Sequence, residues 1–391
     1  MLGPVLADKP CVLREDELGA SERIWRQVTK ESNKRSIIMI CILSLTYRII
    51  RRFVIWVVYA NQRIKGQQRD LEDAVLYGDQ KLKGIDSYLG RVAYDFPIPQ
   101  GIGVHLYDLF FPSPLTLAAY KDDLKVIEIL LRLGLGGATL KTILKEVRQG
   151  NPRPRLQEVT VNGEKGLLNA MGLPGNGISG LIQSLKESSL FAHGRPIGIS
   201  IGGHTITEYQ DNFLELHRFL SSIKDISYYF ELNISCPNTP DGQDMTKSPH
   251  LLESLLQFMR NHSDVVIGVK LTPDQSNEDL LAFAELIKSV EKTYVNVGNA
   301  PYRTCSDVGL PEQAISIGSG GYSGQGIFKR TLEMTTILAA MKMPLVATGG
   351  ISTVDHVKAL RDRGVILMGM ATAVVHDPYC IPRINRELVL A

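Results

Sequence analysis

The strongest constraint on how this chain can fold is a rhythm that begins near Asp95. Strand-length apolar runs occur at Leu115–Ala119, Leu135–Lys141, Pro196–Ile201, Tyr229–Ser235, Val265–Leu271, Tyr294–Asn299, Leu345–Thr348 and Val365–Met370. Helix-length amphipathic stretches separate most of them, at Asp122–Leu133, Asn212–Ile223, Pro249–Arg260, Asn277–Val290 and Thr353–Arg363. Short runs that are apolar on both faces are what strands covered by helices require. Eight such units predict an α/β chain folded as a (β/α)8 TIM barrel. An open, doubly wound sheet is the runner-up, but no GxGxxG follows an early strand. EVTV and GLLN flank Asn162-Gly163, which predicts a hairpin inserted after the second strand.

Residues 1–95 read differently, as a helical extension ahead of a barrel domain spanning 96–391. Within it, Ser36–Ala60 is apolar and long enough to span a bilayer if helical. Arg48, Arg51 and Arg52 sit in its middle, each costing roughly 2.5–3.5 kcal/mol at the centre of a membrane helix. At about 100° per residue, Ser44, Arg48, Arg51 and Arg52 share one narrow face, with Tyr59 nearby. Such a helix could lie in a membrane interface through 36–60, or dock on the barrel with the stripe in water, or break near Arg51. The formal charge of +2 gives no reason to expect nucleic acid. The five cysteines are scattered without a CxxC pair, which fits a reducing, cytoplasmic setting and no metal site.

A barrel of this kind does its chemistry at the C-terminal ends of its strands. Those ends read Ala118-Ala119, Lys141-Thr142, Gly202-Gly203, Asn233 to Asn238, Lys270, Asn296 with Asn299, Thr348-Gly349-Gly350, and Gly369 to Thr372. Two lysines and four amides with hardly any carboxylate imply an electron-rich or anionic planar ligand. The segment Asn233-Ile-Ser-Cys-Pro-Asn238 adds a thiol, Cys236, bracketed by amides and stiffened by Pro237. It suits a proton-transfer group beside a planar ligand, and equally a polar turn around a structural cysteine. The glycine-rich stretches Ser319–Gly324 and Ala347–Ile351 lie late in the chain, where barrels often bind phosphate.

Nine segments carry a more specific signal: PSPLTLAA (112–119), GGATLKT (136–142), GNPRPR (150–155), LLNAMGLP (167–174), LNISCPN (232–238), GVKLTP (268–273), YVNVGN (294–299), GGYSG (320–324) and ATGGI (347–351). Through them the chain resembles the dihydroorotate dehydrogenase family of FMN-dependent barrels over roughly Phe111 to Asp377. The resemblance implies oxidation of dihydroorotate to orotate in pyrimidine synthesis, with FMN in the barrel mouth. It implies that Ala118, Ala119, Lys141, Thr142, Lys270 and Asn296 surround the flavin, and that Gly321, Ser323, Gly349, Gly350 and Thr372 hold its phosphate. It further implies that Lys141, Asn169, Met171, Gly172, Leu173, Asn233, Asn238 and Asn299 clasp the pyrimidine, with Cys236 as the base. Membrane contact of the extension and a homodimer are both open.

Four positions depart from the family pattern. Tyr120 stands where a glycine follows Ala-Ala, Gly175 where an asparagine is usual, Ala300 where a hydroxyl residue is usual, and Ala371 where a glycine is usual. They leave a related pyrimidine or cyclic amide as an alternative substrate, and an inactive barrel scaffold as a further reading. The electron acceptor is left unassigned. Cys236 matches the members that use a cysteine base, whereas the apolar extension is similar to that of the quinone-reducing members.

Overall fold

The computed structural model describes residues 20–234, 245 and 248–389, with side chains described from Ile37 onward. Two helices lead the chain, α1 (Ala20–Ile64) and α2 (Glu72–Tyr94). Eight parallel strands then close into a barrel: β1 (Leu115–Leu117), β2 (Gly137–Ile143), β3 (Ile197–Ile201), β4 (Tyr228–Asn233), β5 (Ile267–Leu271), β6 (Thr293–Val297), β7 (Leu345–Thr348) and β8 (Val365–Met370). Closure is made by β8 against β1, with Met368 opposite Leu115. Helices α3 (Leu124–Arg132), α4 (Gly177–Glu187), α5 (Ile206–Ser221), α6 (Pro249–His262), α7 (Asn277–Lys288), α8 (Phe328–Ala339) and α9 (Val354–Arg361) follow successive strands. The short α10 (Thr372–His376) and α11 (Cys380–Val389) follow β8.

All eight expected strands are present. The helix expected from Asn212 begins instead at Ile206, because Thr205 caps it: its side chain accepts a hydrogen bond from the Glu208 amide. The Glu208 carboxylate accepts from the His204 amide at 2.8 Å, a pairing akin to a capping box that starts the helix early.

Inside the barrel, packing follows the strand alternation. Phe230 and Leu232 of β4 face the helices, where Phe230 meets Phe213 edge-on at 5.1 Å. Tyr229 and Tyr294 instead lie across Gly198 and Gly268, their register partners on the neighbouring strands. A Cβ on Gly268 would meet the Tyr294 ring at 2.1 Å, so glycine is what lets the ring lie flat there. With Phe111, Val346 and Leu367 these tyrosines form an apolar plug under the bore. A small antiparallel hairpin, Val104–Leu106 with Leu109–Phe111, covers the plug from below.

The expected insertion is a hairpin of Leu156–Val161 and Glu164–Asn169. It is wider than the sequence suggested. Ser319–Gly324, the first of the glycine-rich stretches, is a strand paired antiparallel to Glu164–Asn169, and Tyr302–Thr304 completes a four-stranded sheet. The glycines serve backbone approach: a Cβ on Gly320 would sit 2.3 Å from the Asn169 carbonyl.

Helix α1 runs unbroken through Arg51, which rules out the alternative of a break there. Its inner line is Ile40, Ser44, Tyr47, Arg51 and Ile55, and this mixed line faces the barrel. Ser44 is 1% exposed and donates to Asp377 at 2.7 Å. Arg51 pairs with Glu158 of the hairpin at 2.6 Å and donates to the Val375 carbonyl. The polar stripe is therefore split: Ser44 and Arg51 turn inward, while Arg48 and Arg52 stay exposed. The opposite face carries Ile38, Ile42, Leu45, Ile49, Phe53 and Trp56, all exposed. Among the described residues no helix is long and apolar enough to cross a membrane.

Candidate active site

The C-terminal ends of the strands surround a cavity of about 520 Å³. That volume is in the range of sites that enclose a cofactor and a small substrate. Ala118 and Ala119 form one wall, where the end of β1 offers nothing larger than a methyl. Lys141 and Thr142 enter from the end of β2, Asn233 from β4, Lys270 from β5, and Asn299 from the loop after β6. Asn169, Met171 and Leu173 come from the end of the inserted hairpin and the turn beyond it. At one end Ser323, Gly349, Gly350 and Thr372 converge, with the Thr372 hydroxyl donating to Ser323 Oγ at 2.8 Å.

The amides are held in fixed orientations. Asn233 donates to Thr142 Oγ1 at 2.9 Å and accepts from Asn299 Nδ2 at 3.3 Å. Thr142 in turn shares a 2.9 Å bond with Ser200. Tyr209 fixes the end of β4 by donating to the Asn233 carbonyl at 2.9 Å. A site whose amides are ordered before a ligand arrives loses less entropy on binding. Burial draws the Lys141 ammonium below its ordinary range, and Asp122 at 3.3 Å pulls partly back.

Three of the expected site residues stand back from this cavity. Asn296, level with Lys270, lines the small space beneath the cavity and donates to the buried Glu231 at 2.6 Å. Gly321 lies in the ladder behind Asn169, whose side chain donates to its carbonyl at 3.1 Å. Gly172 is buried in a turn with φ of 69°, packed against Asn151. Cys236 and Asn238 lie outside the described residues. Other lining residues were not singled out in the sequence: Glu164, Lys165, Gln325 and His376. A hairpin folding over the mouth from far along the chain gives no local signal of where its tip lands. His376 is held neutral, its pKa lowered to about 4, first by burial and then by Arg51.

A second cavity of about 720 Å³ lies between α2 and the barrel. It shares Tyr120, Lys141, Thr142, Asn169, Ser323 and Thr372 with the first, so the two meet at the mouth. Tyr120, one of the four departures, thus stands at the junction of the two spaces.

The cavity can receive FMN. It has a flat small-residue wall, a buried cation at Lys270, hydroxyls and glycine amides at one end, and Thr348 Oγ1 buried in the lining without a hydrogen-bond partner.

Fold and mouth together define a (β/α)8 barrel protein with a cationic, amide-lined site at the C-terminal ends of its strands. The family model for dihydroorotate dehydrogenase matches residues 102–390, and the chain belongs to that family. A dihydroorotate dehydrogenase (quinone) of Kocuria rhizophila is 29% identical over 326 residues, covering 77% of this chain and 88% of that protein. Another from Clavibacter sepedonicus is 30% identical, covering 74% and 85%. One from Mycolicibacterium gilvum is 31% identical, covering 69% and 76%. The crystal structure of DHODH in complex with ferulenol from Eimeria tenella shares the fold, with a TM-score of 0.68, 18% identity and coverage of 80% and 90%.

Proposed function

We propose that this chain oxidises dihydroorotate to orotate with FMN as its cofactor and a quinone as electron acceptor. The observation that carries the reading is the convergence of Asn169, Asn233, Asn299, Lys141 and Lys270 on one cavity walled by Ala118 and Ala119. Dihydroorotate is an anion with ureide donors and acceptors, which amides and ammonium groups match and carboxylates would repel. When bound, FMN supplies the acceptor for the hydride leaving C6. Ala118 and Ala119 would flank the ring, Lys270 would face it, and Ser323, Gly349, Gly350 and Thr372 would hold the phosphate. Asn169, Asn233 and Asn299 would orient the ureide, and Lys141 would meet the anionic substrate. Cys236 would take the C5 proton, since positive charge or amide donors can lower a thiol's pKa enough for it to act as a base.

The quinone comes from the names of the relatives, and the second cavity supplies a route. Val75, Leu76, Ile143, Leu156 and Val375 give it apolar walls up to the shared mouth. Membrane contact through 36–60 fits the same reading, because an apolar acceptor would arrive from a membrane.

Anaerobic mixing with dihydroorotate tests the activity: the flavin absorbance of the holoenzyme should bleach. Cys236→Ala should still bind FMN and orotate while bleaching slows by about 10²–10⁴. A holoenzyme that dihydroorotate leaves coloured would overturn the substrate, and an alanine variant as fast as the parent would remove Cys236 as base.

A further inference from the structure

Directly beneath the mouth lies the only fully buried ion pair found in the bore among the described residues. Lys270 Nζ is 2.8 Å from Glu231 Oε1, and their side chains are 6% and 2% exposed. Strand register explains the meeting. Asn233, Lys270 and Asn296 are opposite one another on β4, β5 and β6, and Glu231 lies one inward step below Asn233. Its own register partner is Gly268, which has no side chain to intervene. The other carboxylate oxygen is fixed from a third strand, by Asn296 Nδ2 at 2.6 Å, with the Tyr294 hydroxyl 3.5 Å away. Lys270 lines the mouth cavity, whereas Glu231 lines only a small space of about 10 Å³ beneath it. The ammonium is thus held between a carboxylate below and the ligand space above.

A buried pair of this kind contributes little to net stability compared with apolar packing, so stability alone does not account for it. Its electrostatic consequence is larger. A lone ammonium would place a full positive charge on the ligand, but a carboxylate in contact with it reduces that field to the field of a dipole.

We infer that Glu231 is a positioning residue for Lys270: it tethers the ammonium at the floor of the mouth and reduces the positive field that a bound flavin experiences. The inference rests on the FMN reading above. It assigns a role to a residue that touches neither flavin nor substrate and belongs to no glycine or amide motif.

The experiment is a double-mutant cycle read in the midpoint potential of bound FMN and in FMN affinity. Glu231→Gln keeps the side chain's shape and its hydrogen bond to Asn296 but removes the negative charge. It should favour the reduced over the oxidised bound flavin by about tenfold relative to the parent. Glu231→Asp keeps the charge and draws it back by one methylene, and should give a smaller shift of the same sign. In a Lys270→Met background both effects should vanish, because a buried carboxylate left without its ammonium is neutralised and no longer differs in charge from the amide. A Glu231→Gln potential equal to the parent's overturns the inference, as does a shift that persists with Lys270→Met. If both single Glu231 variants fail to fold while Glu231→Gln/Lys270→Met folds, the pair is structural only and the inference is overturned. Titration of the unaltered apoprotein with FMN separates the two levels. No binding there refutes the cofactor reading itself, whereas normal binding with a silent Glu231→Gln refutes only the role of Glu231.

Discussion

Gly198 and Gly268 show how a single residue decides what the bore of this barrel can contain. Each faces a tyrosine of the next strand, and the two rings fill the space that their own side chains would have taken. The resulting plug is the floor on which the charged layer of Glu231, Lys270 and Asn296 rests. Gly268→Ala puts a methyl 2.1 Å from a ring carbon with full burial on every side. Overpacking of this sort costs about 1–3 kcal/mol. Denaturant titration of the holoprotein should show that loss, and tilting of Tyr294 should loosen the contact with Glu231 and move the flavin potential. A variant as stable as the parent would mean that the ring has free space to move into.

At the scale of elements, α1 and the inserted hairpin are joined at one point, where Arg51, Glu158 and His376 meet. A histidine in an unfolded chain titrates near 6.5, and His376 in the folded chain at about 4. Between those values the unfolded chain holds the extra proton. The contribution of His376 is therefore fully present above about pH 6.5, falls as the pH drops towards 4, and is flat below. A shift of this size corresponds to about 3 kcal/mol across the window. Urea titrations at pH 7 and pH 4.5 should show the parent losing more stability than His376→Gln, and equal losses would show that the histidine is not held neutral. Sequence pattern showed the elements well and their junctions poorly. Apolar runs located all eight strands because burial on both faces leaves its mark on every residue of a run. The glycine-rich Ser319–Gly324 read as a loop because its strand character comes from pairing with Glu164–Asn169, far away in the chain. Helix α5 was read short although Thr205 and Glu208 spell a capping box. The amides and lysines of the mouth were legible from their places after strands. Glu231 was not, because a glutamate inside an apolar run shows its partner only once neighbouring strands are in register.

At the scale of the whole molecule, the polar and apolar faces of α1 are the reverse of what a water-exposed surface helix shows. Its inner line places a serine and an arginine on the barrel, while eight large apolar residues from Ile38 to Trp56 are exposed. Leu76, Tyr88, Leu89 and Val92 add exposed apolar surface on α2. Phe53 and Trp56 stack at 6.0 Å and are 62% and 66% exposed, and the exposed Arg48 and Arg52 border the same side. Aromatic and aliphatic residues edged by arginines are what a helix lying in a membrane interface presents. The expected outcome is that the full chain sediments with vesicles of phosphatidylcholine and phosphatidylglycerol, and less so as salt rises. Phe53→Glu/Trp56→Glu should stay in the supernatant with its flavin still bound, since neither side chain touches the barrel core. Arg51→Ala, which loosens the inner face, should sediment like the parent while losing stability. If the double variant sediments undiminished, α1 is not the membrane face. If it leaves vesicle binding at the background level of the parent but halves the mass seen by light scattering, a second copy of the chain covers this surface instead.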